Sequence, residues 1–210
     1  MIRSKLKEYA DQQYQLPKGI LGRYFGEKMV LQHRTETHWT LNLLNVTKEE
    51  RVLEIGCGAG YAIKQLLKLP DVEYAAGLDL SDSILRSAKS RNRRAIKEGR
   101  AAFIQGNVCN IPLDNDTFTK IYSIHSIYFW DLTIETISEI HRVLKNNGSV
   151  TITLCTGKNE ETWSGVHHML NTQLLPLMKK VGFNNIKLVK GPDSRQFQTV
   201  AITGKKKSSQ

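Results

Sequence analysis

The chain has 210 residues, with 30 Lys and Arg against 20 Asp and Glu, a net charge of +10 and 40% hydrophobic residues. That length suits one domain with a sizeable core, and neither an apolar run of ~20 residues for a membrane span nor a charged-then-apolar leader with a small-residue cleavage site stands in it. Cys57, Cys109 and Cys155 are odd in number and far apart, with no Cys-x-x-Cys or Cys/His metal pattern, so a reducing, cytoplasmic setting is expected, with the thiols acting as small buried hydrophobes.

Residues 1–16 are polar and mixed in charge, after which Ile20, Leu21, Tyr24, Phe25 and Met29 space as one face of a helix, and Trp39, Leu43 and Leu44 continue the apolar pattern. A sheet covered on both faces needs such a segment. Residues 1–44 are therefore expected to form a helical cap, part core and part lid, ahead of a core domain at 45–204. His33, Glu36 and His38 are close in sequence. His33 and His38 are five apart and do not share a helix face, so no metal set is read there.

Residues 52–60 read Val-Leu-Glu-Ile-Gly-Cys-Gly-Ala-Gly. Val52, Leu53 and Ile55 give the apolar run of a buried strand, and Gly56, Gly58 and Gly60 allow a turn with positive φ that brings backbone close to a ligand. Ile63, Leu66 and Leu67 then recur at helical spacing until Pro70. Strand, glycine turn and helix start form a nucleotide cradle. A dinucleotide fingerprint would need glycine at 61, where Tyr61 stands, and there is no Lys-Ser/Thr of a phosphate loop.

A second apolar run, residues 74–80, carries Asp79, which lies 19 residues after Gly60, with Ser81 and Asp82 as helix-entry residues. An acid at this place accepts hydrogen bonds from ribose hydroxyls. Residues 102–108, Ala-Phe-Ile-Gln-Gly-Asn-Val, form a third strand with a turn at Asn107. Between the second and third strands, Arg86, Lys89, Arg91, Arg93, Arg94, Lys97 and Arg100 gather on a basic helix and its exit. Such a cluster reads as a solvated face, or as a patch for nucleic acid. An acidic turn at 111–118 leads into a strand at 121–124, which ends in Ile124-His125-Ser126-Ile127-Tyr128-Phe129-Trp130-Asp131. His125 is the candidate base near neutral pH, Tyr128 and Trp130 are candidates to line an acceptor pocket, and Asp131 is expected to cap the next helix.

The segment from Glu139 to Ser149, with Arg142-Val143-Leu144-Lys145 inside it, closes that helix before another strand, and Asn146-Asn147 can make the turn. Helical spacing from Met169 through Leu174, Leu177 and Val181 stops at Gly182. A strand at 185–189, a turn at Gly191-Pro192 and a strand at 196–203 follow, and residues 205–210 read as a solvated basic tail. His167, just before the late helix and beside Trp163, is a further candidate for substrate contact.

Glu54-x-Gly56-x-Gly58-x-Gly60 resembles the first motif of class I S-adenosylmethionine (SAM) dependent methyltransferases. Asp79, the Gln-Gly-Asn turn and the Glu-x-x-Arg-Val-Leu-Lys segment follow in that superfamily's order, and the last is similar to its small-molecule branch, of the ubiquinone/menaquinone type (methyltransferase domain 11-like). The resemblance covers roughly residues 45–155. It implies a Rossmann-like α/β three-layer sandwich with a seven-stranded, mostly parallel sheet ending in an antiparallel hairpin. It also implies SAM as cofactor, S-adenosylhomocysteine as product and a small-molecule acceptor. Glu54, Gly56, Cys57, Gly58, Gly60, Asp79, Leu80, Asn107, Val108 and His125 become the expected cofactor residues, with His125 and Tyr128 catalytic, and Tyr128, Trp130 and His167 at the acceptor. RNA-directed methyl transfer and a SAM-binding module without turnover are the alternatives. Against RNA, residues 124–127 contain no proline of the kind that grips a flipped base.

Overall fold

The computed structural model describes residues 28–208. The apolar positions Ile20, Leu21, Tyr24 and Phe25 of the expected cap lie outside the described residues. Residues 28–32 are helical and lead into α1 (Arg34–Leu43). Then come β1 (Glu50–Ile55), α2 (Tyr61–Leu66), β2 (Val72–Asp79), α3 (Asp82–Arg91), α4 (Arg93–Lys97), β3 (Ala101–Gln105) and β4 (Phe118–Ile124). After a single 3₁₀ turn at Ile127–Phe129 follow α5 (Ile134–Val143), β5 (Leu144–Lys158), β6 (Glu161–Thr162) and α6 (Ser164–Met169). One turn of wider π geometry joins α6 to α7 (Leu175–Val181), and β7 (Phe183–Ser194) and β8 (Phe197–Lys206) end the fold.

The sheet runs β3-β2-β1-β4-β5-β8-β7, with β6 paired to β5 at one side. Its first five strands are parallel, and β8 and β7 add antiparallel. The Rossmann-like fold expected from the glycine-turn resemblance is the one observed. β1 is the middle of the five parallel strands, and its side chains find apolar partners on both faces. Val52 packs with Ile63 and Leu66 of α2 and Leu85 and Ala88 of α3. Leu53 and Ile55 pack on the other face with Ile137 and Ile140 of α5. Strand order reverses between β1 and β4, so their carboxyl ends diverge and open a crevice.

α1 is core at one end and cavity wall at the other. Leu41 and the following Leu44 are buried, and Thr40 Oγ1 lies 2.7 Å from Thr153 Oγ1 of β5. Trp39 packs onto Gly191, where a Cβ would stand 2.8 Å from the indole.

Three local expectations are corrected. The hairpin turn falls at Arg195-Gln196, both with positive φ (51° and 68°), while Gly191 and Pro192 lie inside β7 at a register shift. Trp39 explains the glycine at 191, which the sequence alone makes look like a turn. The cap of α5 is Thr133, whose hydroxyl accepts from Thr136 N–H, and Asp131 offers only its carbonyl to Thr136 Oγ1. Lys205 and Lys206 belong to β8 rather than to a solvated tail. Lys206 is buried, and its ammonium donates to Asp116 Oδ1 at 2.8 Å and to the carbonyls of His141 and Leu144 at 2.9 and 2.7 Å. Those acceptors satisfy the charge that burial would otherwise penalise. Lys206→Ala should lower the stability measured by urea unfolding by about 1–3 kcal/mol; Lys207→Ala, one residue beyond the strand, should leave the midpoint unchanged.

Candidate functional site

The site is built on the turn after β1. Gly56 and Cys57 donate their N–H groups to Leu78 O at 2.8 and 3.1 Å. Gly58 N–H donates to Asp79 Oδ2 at 2.9 Å, and Ser81 N–H to Asp79 Oδ1 at 2.9 Å. The tips of β1 and β2 are thus stitched together. Gly56, Gly58 and Gly60 all take positive φ, 73°, 49° and 69°. Their surroundings differ. A Cβ at Gly60 would come within 2.8 Å of Asn92 Nδ2 and 2.9 Å of Ala88 Cβ, and one at Gly56 within 2.3 Å of Ser126 Cβ. At Gly58 nothing stands within 4 Å. Gly60 lies outside the cavity wall and packs closely against Ala88 of α3 and the Asn92 side chain.

A cavity of about 630 Å³ opens at the carboxyl ends of β1, β2 and β4. Glu54, Gly56, Cys57, Gly58, Asp79, Leu80, Asn107, Val108 and His125 all line it. Leu80 is 50% exposed there, an apolar platform with no protein cover. Glu54 is buried, and its Oε2 has no hydrogen-bond partner among the described residues. Burial pushes the Glu54 carboxyl well above the ordinary range; the Tyr122 hydroxyl eases that rise and the Asp79 charge adds to it. Burial also raises Asp79, partly offset by the N–H groups of Ser81, Gly58 and Leu80. Asn107 Oδ1 accepts Cys109 N–H at 3.0 Å, which leaves the side-chain NH₂ to donate.

The other end of the cavity is aromatic around a polar knot. Phe129, Trp130, Trp163 and Phe197 line it, with His33, His125 and Arg195 among them. His125 follows β4 with φ of 57°, its N–H held by Thr153 O at 2.9 Å. Burial, and then the adjacent His33, bring its pKa down to about 3. The expected general base is therefore a neutral imidazole of little base strength near neutral pH. Tyr128 lines the cavity, but its hydroxyl is engaged elsewhere. Its hydroxyl donates to Cys155 O at 3.0 Å and accepts from Cys155 N–H at 2.6 Å, and burial raises the phenol. Committed to the β5 backbone, it ties the turn after β4 to the sheet and is not a proton acceptor. His167 is exposed and outside the cavity wall. α6 turns Val166 and Met169 toward the core, which leaves His167 outside, while Trp163, at the start of that helix, reaches the cavity.

Glu36 and Arg195 carry no signal that sequence spacing could reveal, since 159 residues separate them. Glu36 is fully buried; its Oε1 accepts from Arg195 Nη2 at 3.1 Å. Burial pushes its pKa up, but hydrogen bonds from His33, its own backbone and Arg195 outweigh that and hold it at about 2. A charged residue at a buried helix position was the one available hint.

Part of the basic cluster is paired locally. Arg86 pairs with Asp82, Arg94 with Glu98 at 2.7 Å, and Arg100 donates to the carbonyls of Leu67 and Val72.

Residues 53–152 match the family model described as "Methyltransferase domain". An uncharacterized methyltransferase of Bacillus subtilis, YdaC, is 29% identical over 165 residues, covering 77% of this chain and 86% of that protein. A sterol 24-C-methyltransferase of Eremothecium gossypii is 24% identical, over 60% of this chain and 33% of its own length. Among solved structures, phosphoethanolamine N-methyltransferase 2 of Haemonchus contortus in complex with S-adenosyl-L-methionine superposes with a TM-score of 0.66 at 18% identity, over 82% of this chain and 52% of that one.

The depressed His125 has a thermodynamic consequence. An imidazole whose folded pKa is about 3 against an ordinary 6.5 leaves the unfolded chain holding more protons between those values, so stability is lost as pH falls through that window. Between pH 7 and pH 5 His125 should account for about 2 kcal/mol of lost stability. In His125→Asn, which tolerates the positive φ, urea unfolding at the two pH values should show a correspondingly smaller difference.

Proposed function

Because the chain belongs to the class I methyltransferase family, we propose that it transfers the methyl group of SAM to a small-molecule acceptor and releases S-adenosylhomocysteine. The carrying observation is a single cavity with two chemistries. One end offers two carboxylates, the Asn107 amide and an apolar platform; the other offers aromatic walls. The chain's own groups fit the cofactor. Gly58 leaves open the space that any Cβ would fill, and Glu54 keeps a buried oxygen without a partner. A cationic ammonium suits that oxygen, and its arrival would restore the charge that burial suppresses.

Asp79 accepts the ribose hydroxyls with the lone pairs that Gly58 and Ser81 leave available. Leu80 and Val108 cover the adenine faces, and Asn107 donates to a ring nitrogen. The sulfonium is itself a good leaving group, so the protein's task is alignment and exclusion of water. Trp130, Trp163 and Phe197 hold the acceptor and keep the aromatic end dry, and residues 28–44 close the cavity beside it. His125 sits where the two ends meet and offers a neutral imidazole rather than a strong base. Three cysteines without a disulfide fit the reducing cytoplasm. No helix of the described residues is long and apolar enough to cross a membrane.

A small acceptor is favoured by the aromatic lining of that end of the cavity. Named relatives act on a sterol and on phosphoethanolamine.

Calorimetry should show one-site binding of both SAM and S-adenosylhomocysteine. Gly58→Leu, which drives a side chain into the cradle, should weaken either by about 100-fold or more, and Asp79→Ala by about tenfold or more. Absence of binding to the wild type would refute the cofactor assignment. A metabolite screen read by release of S-adenosylhomocysteine should then find turnover. Methyl incorporation into RNA would favour the RNA-directed reading, and binding without turnover a SAM-binding module.

A further inference from the structure

We propose that His33, Glu36 and His125 form a binding site for one borderline divalent transition-metal ion, of the zinc, cobalt, nickel or ferrous class, in the wall of the cavity. The three side chains come from the start of α1 and from the turn after β4, 92 residues apart between His33 and His125. One ligand atom from each lies within 4.8 Å of the others. His33 Nδ1 stands 3.9 Å from Glu36 Oε1, and the two imidazole rings are 4.4 Å apart between centroids.

Two atoms of the set are buried without hydrogen-bond partners among the described residues, Glu36 Oε2 and His125 Nε2. The large majority of buried side-chain polar atoms have a hydrogen-bond partner. Two such atoms, one anionic and one an imidazole nitrogen, on residues that already face each other, are what a missing cation would satisfy. The other ring nitrogen of His125, Nδ1, lies 4.0 Å from Cys155 Sγ. A proton on Nδ1 shared with that sulfur leaves Nε2 with its lone pair directed at the cluster, the arrangement by which outer partners orient a ligating histidine.

Two imidazoles and one carboxylate favour zinc or ferrous iron over magnesium or calcium, which prefer oxygen. Metal–ligand bonds of about 2.0–2.2 Å require the ligand atoms to close by roughly 1 Å from their present spread. His33, with 30% of its side chain exposed, has room to rotate. The three ligands leave coordination positions for a donor atom from the cavity. If the methyl-transfer reading holds, that donor is an oxygen or nitrogen of the acceptor, and the metal would lower its pKa. The metal site itself does not depend on that reading.

Arg195 is the resident cation. Its Nη2 lies 3.1 Å from Glu36 Oε1 and 3.2 Å from His33 Nδ1. It compensates the buried carboxylate and competes for the same atoms. Being 37% exposed on the tip of the β7–β8 turn, it can leave when a metal enters.

The test titrates the full chain, without SAM, with Co²⁺ followed by visible d–d absorption and with Zn²⁺ by calorimetry. About one ion per chain should bind. His33→Ala and His125→Asn should each weaken binding by about 100-fold, with circular dichroism confirming the fold; Glu36→Gln should do the same, and the partly exposed His33 keeps the test decisive if that buried variant fails to fold. Arg195→Gln should tighten binding by about tenfold. His38→Ala, whose ring lies 3.3 Å from the Tyr61 hydroxyl outside the set, should change nothing. No stoichiometric binding by either the wild type or Arg195→Gln overturns the proposal. So does binding undiminished in His33→Ala and His125→Asn, or a cobalt–thiolate charge-transfer band that would place the ion on cysteine.

Discussion

Two backbone N–H groups, one from Gly58 in the turn after β1 and one from Ser81, the second residue after β2, end on the two oxygens of the Asp79 carboxylate. That bridge helps the turn hold its open shape. Glycines with positive φ are conformationally free in the unfolded chain, and Leu78 O, Asp79, the internal Gly60 N–H to Cys57 O bond and the Asn92 side chain, which donates to Gly60 O at 3.0 Å, hold this run in place. The same bridge keeps a carboxylate at the carboxyl end of β2, where a ligand's hydroxyls would meet it. Burial works against the arrangement by favouring the protonated form, and the donated N–H groups work against burial. The site is therefore held by a charge that the fold stabilises with dipoles rather than with a counter-ion.

The cavity inherits its division from the strand order. β1 and β2 bring their ends to one side of the switch point and β4 and β5 theirs to the other, with Gly56 and Ser126 in contact across the gap. Ser126 hydroxyl donates to Ile55 O at 3.0 Å, closing the join. The half beside the glycine turn is set by backbone geometry and by side chains at the strand ends. The aromatic half depends on side chains delivered by α1, the turn after β4, the start of α6 and the β7–β8 hairpin.

The same division explains what the sequence could tell. Val52 to Gly60, Asp79 and Asn107 are legible because a buried strand, a positive-φ turn and an acid at a strand end each leave a local signature, and the sheet order follows from that family of motifs. The differing reasons for Gly56, Gly58 and Gly60 were not legible, since they depend on Ser126, on open space and on Ala88 and Asn92. His167 and the Tyr128 hydroxyl point away from the cavity's chemistry for opposite reasons. One lies on the outer face of a short helix, and the other is committed to β5, which takes both of its hydrogen bonds. Glu36, Arg195 and Phe197 meet only through the hairpin, whose turn lies at Arg195-Gln196 and not at the Gly191-Pro192 pair that resembles one. Long-range side-chain clusters of this sort have no period and no spacing to read.

The central claim is that Asp79 and the glycine turn hold SAM with its reactive end toward His125. A crystal structure of the protein with S-adenosylhomocysteine tests it most directly. The account predicts the ribose hydroxyls within hydrogen-bond distance of Asp79, about 2.6–3.2 Å, the adenine against Leu80 and the sulfur facing the aromatic half. A ligand bound elsewhere, with Asp79 still engaged only by Gly58 and Ser81, would contradict it.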